Sequence, residues 1–107
     1  MSDIPIAKRL KEARLAANIS QKKLGIAAGI DQFAASARMN QYERGKHTPD
    51  YSTLKRIATI LKVPVAYFYV DKDDLAEIIK LYGNLSQQDK FKLLAFVKKP
   101  SSGLNVN

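Results

Sequence analysis

The apolar positions of the chain recur at helical spacing over most of its length. Ile6, Leu10, Ala13 and Ala17 fall on one side of a first helix, with Lys8, Arg9, Lys11 and Arg14 on its other faces. Pro5 suits the first turn, where its missing N–H would have been unpaired anyway, and Asn18 is a stop. Ser20 predicts an N-cap for a short second helix over 21–28, with Leu24 and Ala28 inward and Gly29 breaking it. Ile30 follows as a core residue. Residues 31–44 contain a third helix with Met39 and Tyr42, and with them Ala35, on its inner stripe; either Asp31 or Ser36 supplies the cap, and Gly45 ends it. Asp50 or Ser52 caps a fourth helix whose Leu54, Ile57, Ala58 and Leu61 share a face.

Beyond the break at Val63 and Pro64, residues 65–70 form a short apolar segment. Asp73 and Asp74 favour the start of another helix, because their charge meets the positive end of its dipole; that helix carries Leu75, Ile78, Ile79 and Tyr82 and stops near Gly83 and Asn84. Ser86 with Asp89 resembles a capping box for a last helix, which ends before Pro100. The pattern is all-α, without repeats or strands, and residues 101–107 are expected to be disordered.

Composition adds a sign to this outline. Of 107 residues, 46% are hydrophobic and 26% charged, which is ordinary for a globular chain. The net charge of +8 is unevenly placed. Residues 1–62 carry 12 basic and 5 acidic side chains (+7), residues 71–89 carry 2 and 5 (−3), and residues 90–99 carry 4 and none. The positive field therefore sits where a phosphate-binding surface would need it, although a solvated basic surface has the same charge. The absence of cysteine excludes disulfides and thiolate chemistry and suits a reducing interior. No apolar run reaches the roughly 18 residues of a membrane span, and Met1, Ser2, Asp3 and Ile4 lack the features of a secretion signal. A cytoplasmic protein is expected.

The informative stretch is Ser20-Gln21-Lys22-Lys23-Leu24-Gly25, then Gly29-Ile30, then Met39-Asn40-Gln41-Tyr42-Glu43-Arg44-Gly45. It resembles the Cro/repressor-type (XRE-like) helix-turn-helix family over roughly residues 5–70. A narrower likeness, carried by Gly29-Ile30-Asp31, by residues 35–43 and by Gly45-Lys46-His47, is to controller proteins of bacterial restriction–modification systems. The resemblance implies a five-helix lambda-repressor-like DNA-binding domain (5–70), with a C-terminal helical hairpin for dimerisation (73–99) and a tail (100–107). Two departures stand out. Gly25 replaces the family's usual Ala, opening space for close packing, and the span from Gly29 to Glu43 is roughly four residues longer than usual. The extra residues form either a longer turn or an extra turn of the recognition helix.

Aligned at Glu43 and Gly45, the resemblance implies that Ser36, Ala37, Arg38, Asn40 and Gln41 face the DNA groove. Arg can bond guanine bidentately, Asn and Gln adenine, and an Ala methyl can meet a thymine methyl. Gln21, Lys22, Lys23, Arg44, Lys46, His47 and Thr48 suit phosphate contacts, whose cost in counterions gives steep salt dependence. Arg14 and Glu43 are expected to pair, tying the first helix to the recognition helix. The last helix is apolar on more than one side, and such a surplus either covers its own domain or meets a twin subunit; residues 63–70 and 75–98, with Val65, Tyr67, Phe68, Leu75, Ile79, Tyr82, Phe91 and Leu94, are expected to build a homodimer interface. His47 has no second ligand nearby, and the acids at Asp71, Asp73 and Asp74 lack the Gly and terminal Glu of a calcium loop, Tyr82 standing in the last position.

The expected protein is a homodimeric, sequence-specific transcription regulator of a pseudo-palindromic operator, bacterial and nucleoid-associated. No cofactor, metal, membrane or small-molecule ligand is implied. Alternatives are a prophage-type repressor and a DNA-binding antitoxin that acts through a protein partner. An enzyme such as a small nuclease finds no support, since no acid cluster, catalytic His or phosphate loop is present.

Overall fold

The computed structural model describes residues 4–106; the start of the chain (Met1 to Asp3) and the tail's last residue, Asn107, lie outside the described residues. The described chain is helical throughout: α1 (Ile6–Ala16), α2 (Gln21–Ala27), α3 (Ala35–Glu43), α4 (Tyr51–Leu61), a 3₁₀ turn (Val65–Tyr69), α5 (Asp73–Gly83), α6 (Gln87–Lys98) and a second 3₁₀ turn (Pro100–Ser102). None of these helices is long and apolar enough to cross a membrane.

Local chemistry sets most of the boundaries. Asn18, at φ 55°, turns the chain after α1. Ser20 Oγ accepts the Lys23 N–H at 3.0 Å, satisfying one of the free donors of α2. Gly29 ends that helix at φ 92°, a conformation that would strain any residue with a Cβ. Asp50, rather than Ser52, caps α4 by accepting from Thr53 N–H at 2.8 Å, and Ser52 donates to the same carboxylate. Ser86 caps α6 through the Asp89 N–H.

The core lies between α1, α2, α3, α4 and the first 3₁₀ turn. Leu10, Leu24, Ala28, Met39, Leu54, Ile57 and Phe68 are fully excluded from solvent there, and Ala76 of α5 closes it from one side. The fifth element of the domain is thus a 3₁₀ turn, whose Tyr67 and Phe68 pack edge to face with centroids 5.5 Å apart.

Two expectations are corrected. Ala17 lies one residue past α1 and is exposed. Arg9 is not on an outer face but 2% exposed. Its guanidinium donates to Val70 O (2.9 Å), Asp71 O (3.1 Å) and Glu12 (3.0 Å), pairs with Asp73 (3.0 Å) and lies over the Tyr67 ring. Burial opposes its charge, but Asp73 and Glu12 outweigh burial and leave its pKa raised. It ties α1 to the start of α5. Beyond the domain, α5 and α6 follow one another through residues 84–86 and touch little along their lengths. No residue of α6 is buried, and the molecule measures 55 × 32 × 22 Å. Its radius of gyration, 16.0 Å, exceeds the ~13 Å of a compact chain of about 100 residues.

Candidate nucleic-acid interface

A helix that reads DNA needs a back fixed by the core and a front left in solvent. In α3, Ala35, Met39 and Tyr42 are buried, while Ser36, Ala37 and Arg38 are exposed and Asn40 and Gln41 half-buried. The spacing is close because of Gly25. A Cβ at that position would stand 2.8 Å from Ala35 Cβ and 3.0 Å from Ala35 O, so α2 and α3 touch where only glycine fits.

The extra residues before α3 form a longer turn, not an added turn of helix. Residues 32–34 are in turn conformation, and α3 begins at Ala35 behind Ala34, without a side-chain cap. Neither Asp31 nor Ser36 caps the helix. Asp31 instead folds the turn: its carboxylate accepts Phe33 N–H at 3.0 Å and its carbonyl accepts Ala34 N–H at 2.9 Å. The turn presents Phe33, which the sequence analysis did not single out and which is 90% exposed. Its only sequence signal was an aromatic residue inside the lengthened span.

A polar network fixes the orientation of α3. Arg14 reaches Glu43 with two donors: Nε bonds Oε2, and Nη2 bonds Oε1 at 3.1 Å. The two side chains are 12% and 3% exposed. Arg14 Nη1 also donates to Ile19 O at 3.0 Å. Gln21 Nε2 donates to Glu43 Oε1 (3.1 Å) and to Asn40 Oδ1 (3.3 Å), so Gln21 is braced against α3 as well as standing at the start of α2. On the far side, Arg56 Nε donates to Ala28 O at 2.8 Å and holds the end of α2 to α4. Arg56 was missed because an exposed Arg and a carbonyl clamp look alike in sequence.

Lys22, Lys23, Arg44, Lys46, His47 and Thr48 are all exposed. With Glu43 paired to Arg14, Asp31 is the one exposed acid between residues 20 and 49. The surface around α3 is therefore cationic. Among the described residues, no group of His, Cys, Asp or Glu is arranged to hold a metal.

The residues assigned to a dimer interface separate. Tyr67 and Phe68 are buried in their own domain, Val65 and Ile79 are half-buried against it, and Leu75, Tyr82, Phe91 and Leu94 are exposed.

A short capped helix, a turn, and a second helix with a fixed back and a polar, cationic front together define a helix-turn-helix module. Residues 5–67 match the family model described as "Helix-turn-helix domain", and the chain belongs to that family. It is 35% identical over 69 residues to an uncharacterised HTH-type transcriptional regulator of Sinorhizobium medicae (64% of this chain, 47% of that protein). It is 36% identical over 61 residues to the HTH-type regulator RghRB of Bacillus subtilis (56% and 41%). The chain thus spans about half the length of these curated relatives. The crystal structure of the transcriptional regulator BswR superposes with a TM-score of 0.83 at 43% identity, covering 92% of this chain and 98% of that one. Each of these relatives is named as a transcriptional regulator.

Proposed function

We propose that this chain is a sequence-specific transcription regulator that binds a pseudo-palindromic DNA operator as a homodimer. The observation that carries the reading is α3 itself: Ala35, Met39 and Tyr42 are buried at its back, while Arg38 is exposed and Gln41 half-buried. Arg38 and Gln41 read base edges, with Ser36, Ala37 and Asn40 beside them, and Phe33 offers an apolar edge for a thymine methyl or a sugar. Lys22, Lys23, Arg44, Lys46, His47 and Thr48 meet phosphates, and the free N–H groups of α2 do so near Gln21. One helix covers too few base pairs for useful specificity, so two heads are required. The domain is residues 5–70, the dimerising part 73–99. The setting is cytoplasmic, on the bacterial nucleoid.

The role of controller protein in a restriction–modification system rests on the likeness of residues 29–47 to that group. A prophage-type repressor or an antitoxin with a protein partner would use the same reading head. Selection of bound DNA from a random pool tests the common core of these readings. An inverted repeat is expected, with preference relaxed at defined positions by Arg38→Ala and Gln41→Ala. Each substitution should cost about 1–3 kcal/mol of discrimination. No enriched motif, or one unchanged by both variants, would overturn it.

A further inference from the structure

Two apolar surfaces lack a partner within the chain. The first is a groove of about 720 Å³ between α4, the Val63–Pro64 break and the end of α5, walled by Ala58, Val63, Pro64, Ile78 and Tyr82. Its floor is tight: a Cβ on Gly83 would lie 2.6 Å from the Pro64 ring, so the end of α5 is pressed against that proline. The second is α6, which has no buried residue although Phe91 and Leu94, one turn apart, are 68% and 57% exposed. An isolated helix of 12 residues is marginal in water, so α6 needs a surface to lie on.

In the structure α6 does not lie in its own groove. Lys90, in the first turn of α6, already borders the groove, with its ammonium 5.3 Å from the Tyr82 ring centre. From there the helix runs on for roughly 18 Å in all, carrying its later apolar residues away. Of α6, only Lys90 lines that groove, and no residue of the helix is buried.

We propose that α6 is an exchanged arm: in a two-fold dimer, Phe91 and Leu94 of each protomer fill the groove of the other. This inference rests on the homodimer reading and adds how the two copies engage. A second copy is the occupant argued for because the same chain supplies both halves, and a two-fold axis makes both exchanges at once, leaving neither groove nor arm exposed. The arm also sets the separation of the two reading heads, since α5 is tied to α1 through Arg9.

The chain has no cysteine, so introduced thiols are unique. Thr59→Cys on the groove wall and Leu94→Cys on the arm, purified separately with different tags, are mixed and treated with a short bismaleimide. The expected product is the mixed Thr59–Leu94 adduct, in a chain that sediments as a dimer. Leu94→Asp and Ile78→Asp should each weaken the dimer about a hundredfold or more while the monomer keeps its helical circular dichroism. A dimer giving only Leu94–Leu94 adducts would overturn the exchange and leave the homodimer standing. A monomer at every concentration up to tens of micromolar would overturn both.

Discussion

The reading head and the C-terminal arm solve the same problem in opposite ways. In the head, most strong interactions are closed within the domain: Arg14 on Glu43, Gln21 on Asn40 and Glu43, Arg56 on Ala28 O, Arg9 on the Val70 carbonyl. Buried side-chain polar atoms without a partner are absent among the described residues. The arm, α6, leaves Phe91, Leu94 and Phe96 more than half exposed, as α5 before it leaves Ile78 and Leu81. A domain that satisfies itself internally can meet DNA as a rigid body. A helix that buries nothing has its folding coupled to whatever it meets.

That contrast is broken most severely at Glu43. Glu43→Ala leaves the Arg14 guanidinium largely enclosed without a counter-charge and removes one of the two acceptors of Gln21. A loss of about 3 kcal/mol in unfolding free energy is expected by urea titration, with DNA binding falling in the same variant. Restoring shape without charge, as in Glu43→Gln, should recover only part of it. A change below about 0.5 kcal/mol would mean that packing alone orients α3.

Gly25→Ala separates propensity from packing. In an exposed helix, replacing glycine by alanine stabilises by up to about 1 kcal/mol. Here the added methyl meets backbone and Cβ atoms of Ala35, which cannot swing aside. The sign should therefore reverse, to a destabilisation of about 1–2 kcal/mol by thermal or urea unfolding. A more stable variant would show that α2 and α3 can part cheaply. On the arm side, Leu94→Asp should leave the intrinsic stability of the head within about 0.5 kcal/mol. It should also abolish the rise of Tm with protein concentration that a dimer shows.

The sequence carried the head more fully than the arm, for a physical reason. Helical periodicity and caps are local, so Leu24, Met39, Leu54 and Ser20 were readable from spacing alone. The lengthened span before α3 was visible as an interval, but only the hydrogen bonds of Asp31 decide between a turn and more helix. Arg9 was misread because a charged residue on an amphipathic helix defaults to solvent. Glu12 is near in sequence, but its other partners, two carbonyls and Asp73, are more than 60 positions away. Phe68 was assigned to an interface for the converse reason: excess apolar residues count alike whether they fill the core or face outward.

The gentlest test lies at the joint between the two regions. Asp73 receives Lys8 Nζ at 3.2 Å and pairs with Arg9 at 3.0 Å, linking the first turn of α5 to α1. The hydrogen bond from Lys8, then that from Arg9, holds its carboxyl below the ordinary 3.8. A folded pKa below the unfolded one binds fewer protons in the native state. The contribution is therefore fully present above 3.8 and is lost as pH falls through the folded value. Asp50 follows the same rule through its bonds to Thr53 at the α4 cap. Both carboxylates face solvent, so the effect is small and screened by salt. Melting curves from about pH 6 to about pH 3 should show Tm falling in the acid limb, and Asp73→Asn should flatten that limb while leaving the Asp50 part. If Asp73→Asn instead left the slope unchanged, the joint would be held by Arg9 and the two carbonyls alone, with the α5 carboxylate a bystander.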